Sequence, residues 1–108
     1  MIKVVQIDTN SQESIKVAAQ SIAKDLGEYK LYALVNNAGI YNGSGEEIMR
    51  TNLYGPKLMC DAFTPLIDPT CGRVVNMSSG MGPGYVSKCN DEQKKILIRS
   101  DVTWEQVV

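Results

Sequence analysis

The chain has 108 residues, 12 acidic against 11 basic, a formal net charge of −1, no histidine and three cysteines. That length fits one modest unit, residues 1–108, and the near-neutral balance without blocks of like charge gives no field to hold nucleic acid or an anionic membrane. The missing imidazole excludes Ser-His-Asp and Cys-His hydrolytic designs and H-E-x-x-H zinc sites, so proton chemistry falls to other groups.

Ile2 to Ile7 is a β-branched apolar run broken only by Lys3 and Gln6, which predicts a strand covered on both faces. Asn10 with Glu13 has capping-box spacing. Ile15, Ala18, Ala19, Ile22 and Leu26 then follow at helical intervals up to Gly27, predicting a helix with one apolar stripe. Leu31 to Val35 predicts a second strand, ending in the turn Asn36-Asn37-Ala38-Gly39. Glu46 to Leu66 is helix-compatible, and Gly55-Pro56 inside it predicts a bend. Arg73 to Met77 predicts a third strand that delivers Ser78-Ser79-Gly80 at its carboxyl end, while Gly80 to Gly84 predicts a loop. Asn90 caps a helix through about Ile98, and Thr103 with Gln106 repeats the capping-box spacing.

Cys60, Cys71 and Cys89 stand far apart with no C-x-x-C pair. They fit neither a disulfide framework nor a zinc site, which predicts reduced thiols in the cytoplasm and no bound metal. The opening residues lack the apolar core of a signal peptide, and no stretch approaches the ~18 apolar residues of a membrane span. Strands alternating with helices predict an α/β domain of three parallel strands with right-handed crossovers. Ligands of such sheets sit beyond the carboxyl ends of the strands, where Asp8-Thr9, Asn36-Asn37-Ala38-Gly39 and Ser78-Ser79 all fall.

These residues resemble a short-chain dehydrogenase/reductase of the carbonyl reductase branch. The resemblance runs through Val5-Gln6-Ile7-Asp8, Leu34-Val35-Asn36-Asn37-Ala38-Gly39-Ile40, Thr51-Asn52-Leu53-Tyr54-Gly55 and Gly72-Arg73-Val74-Val75-Asn76-Met77-Ser78-Ser79. The tail from Lys88 through Trp104-Glu105-Gln106 is similar to the insertion that carbonyl reductases carry after the catalytic serine. The resemblance implies a partial doubly wound sheet of the Rossmann type. It also implies NADP(H)-linked hydride exchange with a ketone, aldehyde or quinone. It casts Asp8 as the acid that meets the adenine amino group, with Thr9 beside the same ring. Asn37 lines the cofactor ribose and Asn36 ties the central strands. Ser79 polarises the substrate carbonyl by donating to its oxygen, and the Asn52 main-chain carbonyl holds a water of the proton relay. Pro56, four residues after Asn52, has no amide to bond that carbonyl.

From the residues alone, each position has a second use. Ser78-Ser79 terminates a strand, Asp8 caps the following helix, and Asn52 to Pro56 breaks a helix near a surface loop. The family's glycine-rich phosphate turn and its Tyr-x-x-x-Lys pair are not among these residues. Tyr85-Val86-Ser87-Lys88 has two intervening residues, and Pro83-Gly84 predict loop there. The connection from Gly39 to Asn52 is also shorter than the family's. The expectation is an internal fragment of a carbonyl-reductase-like enzyme, inactive alone, with a non-catalytic α/β interaction module as the alternative. In the family's strand order, Ile2 to Ile7 is left exposed and prone to self-association, or pairs directly with Leu31 to Val35.

Overall fold

Among residues 2–107, which the computed structural model of the chain describes, regular structure begins beside Ser11. The Ser11 hydroxyl accepts the Ser14 amide at 3.2 Å, satisfying a donor that every helix start leaves open, and α1 runs Gln12–Leu26. Asn10, the expected cap, lies one residue early. Its amide donates to Asp8 Oδ1 at 2.9 Å in a tight turn, and its side chain turns to Thr51. α1 buries Ile15, Ala18 and Ala19, as the apolar spacing predicts, and stops at Gly27, whose φ of 58° is open to a residue without Cβ.

The run Ile2 to Ile7 forms no strand. It has no ladder partner among the described residues, and Ile2 and Val4 are 93% and 89% exposed. Only its inner end is used: Ile7 packs on the core, while Lys3 pairs with Asp25 of α1. Apolar patterning reports which faces seek cover and says nothing of whether a neighbouring strand is present.

β1 (Ala33–Asn36) pairs in parallel with β2 (Arg73–Asn76), Ala33 opposite Arg73 and Asn36 opposite Asn76. A further bridge joins Leu31 to Ile67. The sheet therefore has two strands where three were expected, and Leu31 to Val35 pairs with the later strand rather than with Ile2 to Ile7.

The connector between the strands is one long helical passage. Ser44 and Glu47 close a capping box, the Glu47 carboxylate accepting the Ser44 amide at 2.7 Å, and α2 spans Gly45–Met49. Those Ser44 hydrogen bonds hold the Glu47 carboxyl below its ordinary pKa. A π-helical turn, Arg50–Tyr54, leads into α3 (Gly55–Phe63) and a tighter turn at Thr64–Leu66. The Gly55 amide reaches five residues back to the Arg50 carbonyl. The passage thus widens just before Pro56, which has no amide, and no break occurs.

Ile15 and Ala19 of α1, Leu34 of β1 and Phe63 of α3 form the core, with Ile7, Ile22, Leu31 and Leu58 packed around it. Each fully buried large side chain contributes roughly 1.5–3 kcal/mol. Ahead of β2, Asp68 accepts the Thr70 and Cys71 amides at 2.8 and 3.0 Å, and Gly72 closes the turn onto the Asp68 carbonyl at 2.9 Å. A Cβ on Gly72 would lie 2.2 Å from Ile67 Cγ2, so no other residue fits.

Those elements make one compact unit, through Met77, and a second begins at Ser78. The second consists of α4 (Met81–Lys88), α5 (Asp91–Leu97) and α6 (Trp104–Val107). α4 replaces the loop expected over Gly80 to Gly84. Pro83 falls in its first turn, where a missing amide leaves nothing unpaired, and glycine before it weakens a helix without forbidding one. Asn90 caps α5 as expected, with Gln93 completing a capping box, and the Thr103 amide donates to Gln106 Oε1 at 3.0 Å.

Candidate functional site

Three backbone turns of the first unit come together beyond the carboxyl end of β1. The 8–10 turn follows the unpaired apolar run, the 36–40 turn follows β1, and the third segment is the π turn with Gly55-Pro56. Asn10 and Thr51 tie the first to the third: Asn10 Nδ2 donates to Thr51 Oγ1 at 3.2 Å, and that hydroxyl donates back to Asn10 Oδ1 at 3.3 Å. Thr9 lies against buried Gly55.

Asn52 ties the second turn to the third. Its Nδ2 donates to the Ile40 carbonyl at 2.7 Å and its Oδ1 accepts the Ile40 amide at 2.8 Å. One side chain thus replaces the pairing that a neighbouring strand would give Ile40. Asn36 is buried at 8% exposure, with Nδ2 donating to Asn76 Oδ1 at 2.7 Å and to Cys60 Sγ at 3.4 Å. That amide locks the ends of β1 and β2 side by side.

The result is a cleft of about 60 Å³ lined by Thr9, Val35, Asn36, Asn37, Ala38, Pro56 and Met59. It unites Thr9, Asn36 and Asn37 of the residues singled out from the sequence. Asp8 sits beside it, exposed, with its amide donating to Ser14 Oγ at 2.9 Å and Oδ1 accepting from Asn10. Asp8 does not cap α1, a place Ser11 takes; it organises the approach to that helix and keeps its carboxylate at the surface. Asp8 is the sole carboxylate of the three turns, and their one cation, Arg50, is paired with Glu46 at 3.1 Å and does not line the cleft. Such a rim suits an uncharged, donor-bearing ring better than a phosphate.

Ser79 belongs to the second unit. Its hydroxyl accepts the Met81 amide at 3.2 Å and its carbonyl accepts the Gly82 amide at 3.1 Å, so it helps to begin α4. An accepting hydroxyl keeps its own proton to donate. Tyr85 and Lys88 are three residues apart on α4, on one helical face, and Tyr85 is 63% exposed.

Two contributors escaped sequence reading, Asn76 and Cys60. The parallel endings Leu34-Val35-Asn36 and Val74-Val75-Asn76 are a usable signal for the first, because strands ending alike place like residues opposite one another. Nothing in the residues around Cys60 marks it. Among the described residues, no group of three or more histidine, cysteine or acidic side chains could hold a metal ion. No helix there is long and apolar enough to cross a membrane.

The family model for short chain dehydrogenases matches residues 1–90. Carbonyl reductase (NADPH) 1 of Bos taurus is 33% identical over 112 aligned residues, covering 95% of this chain and 39% of the bovine protein. The 3beta-hydroxysteroid dehydrogenase dhs-16 of Caenorhabditis elegans is 38% identical over 90 residues, covering 72% of this chain and 23% of that one. The NADPH-bound carbonyl reductase from chicken fatty liver superposes with a TM-score of 0.67 at 28% identity, over 74% of this chain and 38% of its own. NADP-bound ElxO gives 0.60 at 28% identity, over 72% and 35%. The chain therefore spans about two fifths of the carbonyl reductases' length.

Proposed function

This chain belongs to the short-chain dehydrogenase family, and from that premise we propose that it forms part of an NADP(H)-linked carbonyl reductase of the cytoplasm, acting on a small ketone, aldehyde or quinone. The observation that carries the reading is the cleft where Thr9, Asn36 and Asn37 meet beside the exposed Asp8 carboxylate. Sites that enclose a small molecule run to roughly 300–1,000 Å³. A cleft of about 60 Å³ fits one edge of a dinucleotide, its nucleoside side, and not the whole.

Bound there, the cofactor supplies the hydride. Asp8 accepts from the adenine amino group, Thr9 contacts the same ring, and Asn37 lines the ribose. Asn36 keeps that turn in place through its bond to Asn76. Ser79 donates to a carbonyl oxygen that gains negative charge as it is reduced. Asn52 offers its main-chain carbonyl to a water of the proton relay while its side chain holds Ile40.

These 108 residues bind that edge without turnover, because Tyr85 and Lys88 lie three residues apart and not four. The small cleft also favours a second reading, an α/β interaction module without chemistry of its own. Titration with NADPH, followed by amide chemical shifts, tests the first. Thr9 and Asn37 are expected to move saturably, and shifts confined elsewhere or absent would reject it. In a chimera carrying these residues inside a full-length carbonyl reductase, Ser79→Ala is expected to lower kcat about 10²–10³-fold with little change in KM. An unchanged kcat would leave Ser79 as the start of α4 and nothing more.

A further inference from the structure

α1 and α3 lie side by side and leave a groove of about 400 Å³ between them, away from the three turns. Its walls combine Ile15, Leu58 and Leu66 with Ala19, Ala23 and Ala62. The alanines matter most: where larger side chains would close the helices together, methyl groups leave a slot. Along α1 the groove extends from Gln12 to Ala23, roughly 16 Å at the rise of an α-helix. A groove of that length with an apolar floor, edged by Gln12, Lys16, Gln20 and Asp61, matches an extended alkyl chain better than a compact ring.

Its charge selects the other end of the ligand. Lys16 and Asp61 stand on opposite walls. Asp61 is answered within α3 by Lys57 at 2.5 Å, whereas Lys16 makes no ion pair among the described residues. Glu13, the acidic residue of the first turn of α1, is not part of the lining. We propose that this groove binds a fatty acid carboxylate, its chain along the alanine floor and its headgroup at Lys16.

Calorimetric titration of the chain with dodecanoate, held below its micelle-forming concentration, tests the proposal. One saturable site is expected. Lys16→Glu should weaken it about fivefold, as reversal of an exposed charge pair implies. Ala23→Leu, which keeps a strong helix former and fills the slot, should abolish it, with circular dichroism confirming an intact α1. Dodecylammonium should bind less tightly than dodecanoate. Absence of a saturable site, equal binding by the Ala23→Leu chain, or equal affinity for the ammonium would each overturn the assignment.

Discussion

At Asn36 and Asn76 the exposed partner carries more of the stability than the buried one. Removing Asn76 deprives the buried Asn36 amide of its 2.7 Å acceptor, and such a loss costs about 1–3 kcal/mol. Replacing Asn36 by leucine removes the buried polar group itself, and exposed Asn76 then turns to water. Urea unfolding is therefore expected to show Asn76→Ala as more destabilising than Asn36→Leu; the reverse order would mean that the pair is not limited by burial. Asp68 behaves differently because it titrates. The Cys71 and Thr70 amides hold its carboxyl below the usual carboxylate pKa. Its contribution is therefore fully present above the unfolded value, ~3.9, and disappears as the pH falls through the lowered folded value. Thermal midpoints measured through the acid range should fall less steeply for Asp68→Asn than for the native chain. Identical acid limbs would show that the turn gains nothing from ionisation.

Elements differ in how openly the chain announces them. The Asn90 cap of α5, the stripe of α1 and the strand at Arg73–Asn76 are local, set by residues within a few positions of one another, and all were legible. Asn10 misled because two capping-type residues follow in succession, and in the fold the Asn10 side chain is held by Thr51, which leaves the cap to Ser11. α4 was hidden by composition: glycine and proline read as loop unless proline's place in the first turn is known. Its weakness yields a test. Gly84 is inside the helix with no atom within 4 Å of the position a Cβ would occupy, so Gly84→Ala should stabilise α4 by about 0.5–1 kcal/mol. Far-ultraviolet circular dichroism and the α-carbon shifts of Met81 to Lys88 would register the gain, and a loss of helicity would show that glycine is required there.

On the scale of the whole chain, the site was half legible. Thr9, Asn36 and Asn37 end apolar runs and could be found by that position alone. Cys60 and Asn76 meet Asn36 from 24 and 40 residues away, through a register that only the folded sheet defines. The same sheet organises stability. Hydrogen exchange should be slowest at the amides of α1 and the β1–β2 ladder and fastest from 2 to 7 and in the second unit, none of whose described residues is fully buried. Apolar Ile2, Val4, Val35, Val74 and Met77 remain exposed, so sedimentation velocity is expected to reveal concentration-dependent association; a monomer at all concentrations would count against it. The parallel sense of β1 and β2 also decides how the first unit answers tension. A pull on the two ends of the chain reaches β1 at its amino end and β2 at its carboxyl end, dragging the strands past each other lengthwise. The ladder bonds from Ala33 to Asn36 then bear load together rather than opening one at a time. A motor drawing the chain in from its carboxyl end would unwind α6, α5 and α4 with little resistance and stall at Asn76, where the force first meets the sheet in shear.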